Sequence, residues 1–317
     1  MTAPKTDRRI LRTRALLRQA LAELMQEKNA GDITVKELVA HANVNRSTFY
    51  LHYTDIDQML AAVEAELLDR IEAAVQAGII VLPATGRTAT GVPSAFTDIP
   101  GVHYALPSNG ASVVDMRTGA HIVDQPFSLE DSLRVYDALK PFGGVFSLFV
   151  GGKSYATKAD NDLIDVLVPE NLRDYFRKTR IEVPDLRAVL QQRVGEVEKF
   201  SIMYPKVELR DDAWRAVLAA CPDVEATTSL GSNIELNAPG VTKGSGLLAL
   251  AEKLGLRRDQ VMAVGDSGND LSMIEEAGLG VAMGNATPEV LAAADVTTAD
   301  NNHDGVALAI EKYALHR

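Results

Sequence analysis

The sequence has a single cysteine, Cys221, in 317 residues. One thiol excludes an internal disulfide framework and any zinc site built from cysteines, and it suits a reducing compartment. Long apolar runs are missing too. The longest, around residues 78–84, is far too short to cross a bilayer, so no membrane partner is expected. Basic residues near the N-terminus have no apolar stretch behind them, so no secretory signal is expected either. These shortages together point to a cytoplasmic protein. Positive charge is also short overall: the formal net charge is −11, which argues against a broad nucleic-acid coat. What is present is an ordinary globular balance, 46% hydrophobic and 24% charged, with enough chain for two or three domains.

The charge is unevenly placed. Residues 1–50 hold nine basic side chains (Lys5, Arg8, Arg9, Arg12, Arg14, Arg18, Lys28, Lys36, Arg46) against five acidic ones (Asp7, Glu23, Glu27, Asp32, Glu37), a net +4 that leaves −15 for the rest. A basic head on an acidic body is the asymmetry expected when one small domain meets phosphate. Within the head, Ile10, Ala15, Leu16, Ala20, Leu21 and Leu24 recur at helical spacing, which predicts a helix over about 9–27. Asn29 to Asp32 reads as a turn. Thr34-x-x-Glu37 is a capping box that opens a short helix, 35–42. "NVN" (43–45) is a tight turn, because asparagine tolerates the left-handed conformation. Another short helix starts at Arg46. Two short helices about such a turn make a helix-turn-helix. The helical stripe of Leu60, Val63, Leu67, Leu68, Ile71 and Val75 then runs to Gly78.

The stretch "ITVKELVAHANVNRSTFYLHYTDIDQMLAAV" resembles the DNA-binding head of TetR-type repressors, over about residues 9–65. The resemblance implies that Asn45, Arg46, Ser47 and Thr48 face base edges in the major groove. It also implies that Tyr50, His52 and Tyr53 contact the phosphate backbone or pack the recognition helix. Operator DNA is the implied partner. Two departures predict weak affinity: the usual turn glycine is Asn43, and Asp55 and Asp57 stand where a lysine is common. The large helical ligand and dimer domain of that family does not follow. A homodimer stays among the expected partners.

From Gly78 the pattern changes. "IIVLPATGR" (79–87) reads as a buried strand ending in a polar turn. "VMAVGDSGNDLSMIEEAG" (261–278) reads as strand, acidic loop and helix, "LGVAMGNA" (279–286) as a second strand and turn, and "ADVTT" (294–298) as a third strand. Strands alternating with helices predict an α/β layer with a mostly parallel sheet and a ligand site at the strands' carboxyl ends. Thr85 offers a hydroxyl and backbone N–H groups to a phosphate oxygen. Lys243, at a predicted helix start, favours an anion. Asp266 and Asp270 share one loop, and paired hard oxygens suit Mg²⁺.

Taken together and in this order, these segments resemble the haloacid dehalogenase (HAD) superfamily, in its Cof-type sugar-phosphatase branch, from about residue 70 to 312. "SNGA" (108–111), "NIELNAPGVTKGSGLLALAEKLGL" (233–256) and "ADNNHDGVALAI" (299–310) belong to the same set. The implied fold is a HAD-like α/β Rossmannoid parallel sheet with an α/β cap, preceded by an all-α helix-turn-helix domain. The implied division is 1–70 head, 71–114 first part of the core, 115–235 cap, and 236–317 second part of the core. Cap strands are expected within 143–152, 198–205 and 225–231, and a cap helix over 129–139 opened by Ser128-x-x-Asp131. By resemblance, Thr85, Gly86, Arg87, Lys243 and Asn269 hold phosphate, Asp266 and Asp270 hold Mg²⁺, and Asn109 and Gly110 lie on the substrate side.

One part of that family's pattern is missing. Its enzymes open on a central strand ending in D-x-D-G-T, whose first Asp attacks phosphorus and whose second is acid and base. The D-x-D upstream of Thr85 is Asp55-Ile-Asp57, which by resemblance would be nucleophile and acid/base. Gln58 and Met59 replace Gly-Thr, however, and His52 stands where a central strand wants an apolar residue. Thr54-x-x-Asp57 also reads as a helix cap, with Ile56, Met59, Leu60 and Val63 continuing at helical period. Thr48, Phe49, Tyr50 and Tyr53 speak for a strand. The leading expectation is a DNA-binding regulator whose body binds a phosphorylated metabolite and Mg²⁺ without turnover. The alternative is a Mg²⁺-dependent phosphatase acting on sugar phosphates or similar monoesters. The conformation of residues 48–60 separates the two.

Overall fold

The computed structural model describes residues 8–28 and 30–316; Lys5, Asp7 and Asn29, used above, lie outside them. The chain forms two compact units. One takes the residues up to Gly78 with Met283–Asn285 and the chain from Thr298; the other takes Ile79–Ala282 and Ala286–Thr297.

The first unit is helical. Helix α1 spans Arg8–Glu27, α2 Val35–His41, α3 Arg46–Phe49 and α4 Ile56–Gln76. Thr34 and Glu37 form the expected capping box at α2, and Asn43 takes the left-handed conformation (φ 49°) that the turn needs. Leu17, Leu21, Leu38, Phe49, Tyr53, Ile56 and Met59 close one core. The stretch 48–60 is therefore helix, turn and helix rather than strand. Its cap differs from the expected one by a residue: Asp55, not Thr54, is the N-cap of α4, accepting from the Gln58 N–H at 2.7 Å. A carboxylate is the stronger acceptor there, and Gln58 Oε1 in turn accepts the Thr54 N–H at 2.7 Å. Helix α4 continues past the head's core to bury Ile71 and Ala74 and stops at Gly78 (φ 84°). Along the way it meets the helix Gly305–Ala309 and the π-helical turn Ile310–Ala314 that follows it. Arg70 Nε donates to Glu311 Oε1 at 2.9 Å, and Arg18 bridges Glu66 and Asp304.

The second unit is α/β. Strands β1 (Tyr104–Ala105), β2 (Ser112–Asp115) and β3 (Ala120–Asp124) form an antiparallel sheet. A six-stranded sheet has the order β6 (Arg180–Val183), β5 (Lys153–Thr157), β4 (Val145–Val150), β7 (Val197–Met203), β9 (Asn233–Asn237), β8 (Glu225–Thr227). Helix Leu129–Leu139, capped by Ser128 as expected, packs on it with Val135, Tyr136 and Leu139 against Phe146, Leu148 and Phe200. The expected cap strands are all present. A parallel sheet of β10 (Met262–Gly265), β11 (Leu279–Ala282) and β12 (Val296–Thr297) completes the unit.

Residues 79–84 depart from expectation. They are not a strand. Among the described residues their only ladder contact is a parallel bridge from Ala84 to Leu106, and Ile80 is 42% exposed. A strand exists through its partners' hydrogen bonds, and Pro83 brings no donor of its own. The neighbour that the family's first strand would supply is missing: β10 ends the order β10-β11-β12, and among the described residues no strand pairs with its other edge.

Candidate functional site

The site lies in the α/β unit, at the carboxyl end of β10. Gly265 is the last residue of that strand, and a Cβ there would sit 2.5 Å from Asp270 Cβ, so glycine alone fits. The chain folds back so that Asp270 Oδ2 accepts the N–H groups of Asp266 and Ser267, each at 3.1 Å. Its other oxygen accepts Lys243 Nζ at 2.6 Å. Lys243 is the first residue of helix Lys243–Lys253, behind the Thr242–Ser245 capping box. Lysine and aspartate are both buried (4% and 7% exposed), so each depends on the other to offset its desolvation. Asp266 Oδ1 accepts the Ser267 hydroxyl at 3.0 Å.

The second wall is the loop around Thr85. Its N–H donates to Leu106 O (2.8 Å), its carbonyl accepts the Asn109 N–H (3.1 Å), and its Oγ1 accepts the Arg87 N–H (3.1 Å). The hydroxyl proton stays available for a phosphate oxygen. Ser108, Asn109 and Gly110 all have positive φ (52°, 55° and 93°). Such strain persists only where the surroundings enforce it. At Gly110 a Cβ would lie 2.0 Å from Thr242 O, so glycine alone lets this loop reach the lysine helix. Asn109, 3% exposed, joins the walls: its Oδ1 accepts Asn269 Nδ2 at 3.2 Å. Thr85, Asn109, Gly110, Lys243, Asp266, Asn269 and Asp270 are thus brought together. Arg87 turns to the cap, its guanidinium 4.8 Å over the Tyr175 ring.

Sequence reading missed the residues beneath this site. Lys199 on β7 and Glu235 on β9 are buried (1% and 6% exposed) and paired at 2.9 Å. Lys199 Nζ also donates to Gly86 O at 2.5 Å and lies 4.8 Å from the Phe149 ring centroid. Glu235 Oε2 takes Asn109 Nδ2 at 2.6 Å, and its Oε1 takes Ser229 Oγ and Asn233 Nδ2. Burial alone pushes the Glu235 carboxyl up, but Lys199, Asn109 and Ser229 together hold it below its usual range. Burial pulls Lys199 down against Glu235's opposing charge. Neighbouring Glu198 is pushed up by burial, against the Ser108 hydroxyl (2.6 Å) and the Gly152 N–H (2.7 Å) that favour its charge. The signal available was "NIELN", in which polar residues alternate with apolar ones. Alternation normally marks a solvent face, yet all five of these residues are buried.

In the helical unit, Asn45, Arg46 and Ser47 are exposed at the start of α3 and Thr48 is half-buried, while Phe49 anchors the other side. Arg46 donates to the Tyr50 hydroxyl at 3.2 Å and lies over its ring. Tyr53 is core (3% exposed) and His52 half-buried, its pKa lowered by burial and by Arg14. Asp57 sits in the first turn of α4.

Among the described residues no group of three or more His, Cys, Asp or Glu converges on a metal position. The donors fit a sparser mode. Mg²⁺ is commonly held by one or two carboxylates with water and substrate phosphate. Asp266 and Asp270 are the carboxylates of this loop; Asp270 accepts hydrogen bonds on both oxygens and Asp266 accepts the Ser267 hydroxyl.

The haloacid dehalogenase-like hydrolase family matches residues 54–310, and the bacterial regulatory proteins of the tetR family match 17–63. The two matches overlap over 54–63, which takes in the N-cap Asp55 and the first turns of α4. "Putative phosphatase YxeH" of Bacillus subtilis (strain 168) is 30% identical over 263 residues, 80% of this chain and 92% of that protein. "Phosphatase YwpJ" of the same organism is 29% identical over 274 residues, 77% and 91% of the two chains. Among solved structures, a haloacid dehalogenase-like hydrolase from B. subtilis superposes with TM-score 0.69 at 25% identity, over 79% of this chain and 92% of that one. The HAD subclass IIB sugar phosphatase BT4131 shares the fold, with TM-score 0.66 at 23% identity over 79% and 92%. The chain belongs to the haloacid dehalogenase-like hydrolase family, in its Cof-type phosphatase branch, and carries a TetR-type helix-turn-helix at its head.

Proposed function

We propose that the protein is a transcriptional regulator: the head binds operator DNA, and the body binds a small phosphorylated metabolite with Mg²⁺ and does not turn it over. The observation that carries this is Asp55. In the D-x-D upstream of Thr85 it caps a helix, its carboxylate bonded to the Gln58 N–H, which supports a body whose Thr85, Lys243 and Asn269 bind phosphate with no nucleophile beside them. In this proposal Asp266 takes the Mg²⁺, which neutralises phosphate charge when bound. Thr85 and Lys243 bind the phosphate oxygens, and Asn109 and Asn269 orient it. The exposed Asn45, Arg46 and Ser47 support base contact by α3. The test is an electrophoretic shift at low salt, with fragments selected from random DNA and a titration of phosphosugars. No shifted fragment at any salt concentration sinks the proposal.

One observation favours a second reading, a working phosphatase. The hydrolase family match begins at residue 54 and so spans Asp55 and Asp57. That reading requires metal-dependent hydrolysis of a generic phosphomonoester that both Asp55→Asn and Asp266→Ala abolish. Absence of turnover in the unaltered chain ends it.

A further inference from the structure

The buried pair Lys199–Glu235 has no role in the site as described so far, although Glu235 lies within "NIELN", and two of its contacts, Gly86 and Asn109, lead to the phosphate site. Three groups converge on Gly86. A Cβ there would meet Asn109 Oδ1 at 3.0 Å, Lys199 Nζ at 3.1 Å and Glu235 Oε2 at 3.2 Å. The Lys199 ammonium has three donors and three acceptors around it: the Gly86 carbonyl, the Glu235 carboxylate and the Phe149 ring face. Glu235 takes four donors, two on each oxygen. From it a line of side-chain hydrogen bonds runs Glu235–Asn109–Asn269, ending on the acidic loop. A buried ion pair is a poor device for stability, since apolar residues of equal volume commonly do as well. Fixing an orientation is a better reason for one. The amide of Asn109 has no freedom left: its Nδ2 must face Glu235 and its Oδ1 must face Asn269.

We propose that Lys199 and Glu235 are positioning residues of the phosphate site. Lys199, from cap strand β7, fixes the Gly86 carbonyl and with it the Thr85–Arg87 turn. Glu235, from β9, fixes the Asn109 amide and through it Asn269. The cap sheet thereby sets the geometry of the core's phosphate loops. This rests on phosphate binding by the body.

The test uses the full chain and inorganic phosphate with Mg²⁺ as the probe. Calorimetry gives the affinity, thermal unfolding the stability, and nitrogen–proton spectra the side-chain amides of Asn109 and Asn269. The variants are Glu235→Gln and the double variant Lys199→Met/Glu235→Gln, which removes both charges together and so leaves neither stranded. Val217→Ala, in the cap's apolar core, is the control for simple destabilisation. Positioning predicts that the double variant unfolds near the wild-type temperature yet binds phosphate about tenfold to a hundredfold more weakly, as loss of an outer-shell partner typically does. It predicts that Glu235→Gln shifts the amide signals of both Asn109 and Asn269. Val217→Ala should melt lower with affinity and amide signals unchanged. Unchanged affinity in the double variant, or an Asn269 signal indifferent to Glu235→Gln, overturns the proposal. If Glu235→Gln fails to fold, the double variant decides alone. A wild-type chain that binds no phosphate, with Lys243→Ala indistinguishable from it, overturns phosphate binding itself and the positioning role with it.

Discussion

Asp55 gives the sharpest prediction, because its two candidate roles respond in opposite ways to one substitution. As the N-cap of α4 it accepts the Gln58 N–H at 2.7 Å and carries negative charge at a helix N-terminus. Asparagine is an equally good cap, so Asp55→Asn loses only the charge–dipole part, about 0.3–1 kcal/mol at an exposed position. Asp55→Ala also loses the acceptor, for a total of about 1–2 kcal/mol. One kilocalorie corresponds to about fivefold in a local opening equilibrium. Hydrogen exchange should therefore quicken about fivefold or more over residues 56–60 in Asp55→Ala and by much less in Asp55→Asn. The single tryptophan, Trp214, lies in the other unit, and its fluorescence transition reports on that unit. A cap predicts the order Ala worse than Asn in exchange, and no effect of either on phosphate affinity. A nucleophile predicts that Asn is as damaging as Ala, in turnover. Equal exchange in the wild type and Asp55→Ala refutes the cap.

Further predictions follow from the same geometry. Lys243→Ala leaves Asp270 buried without its cation and should cost about 3–5 kcal/mol, measured by denaturant titration, along with phosphate binding. Gly110→Ala puts a methyl 2.0 Å from Thr242 O at a φ of 93°; a loss of more than about 1–3 kcal/mol is expected, and a wild-type melting temperature would contradict the close packing drawn here. Glu198 has a raised folded-state pKa, so its burden on stability grows as pH rises from its unfolded value through the folded one. Glu198→Gln keeps an acceptor for the Gly152 N–H and can meet the Ser108 hydroxyl. Its melting temperature should be higher than wild type at pH 8, with the difference shrinking toward pH 5; the opposite trend refutes the sign.

Much of this was legible from local pattern. The capping box at Thr34, the N-cap at Ser128, the turn at Asn43 and the lysine-bearing helix at 243 are short-range features, fixed by residues three or four apart. Residues 79–84 misled because an apolar run states only that a segment can be a strand; the partner decides, and none pairs with it as a strand among the described residues. Lys199 and Glu235 were invisible for a related reason. They are 36 residues apart and on different strands, and only the sheet's register brings them together. Asp55 lay between these cases: the helical period after it identified the helix, but the cap fell on Asp55 rather than Thr54.

The most direct measurement is DNA binding by the full chain with and without a phosphorylated ligand, in the wild type and in Lys243→Ala. A regulator predicts a shifted DNA complex whose affinity changes with the ligand in the wild type, no ligand response in Lys243→Ala, and no phosphate released. Steady release of phosphate, or DNA affinity indifferent to every phosphosugar tried, contradicts it.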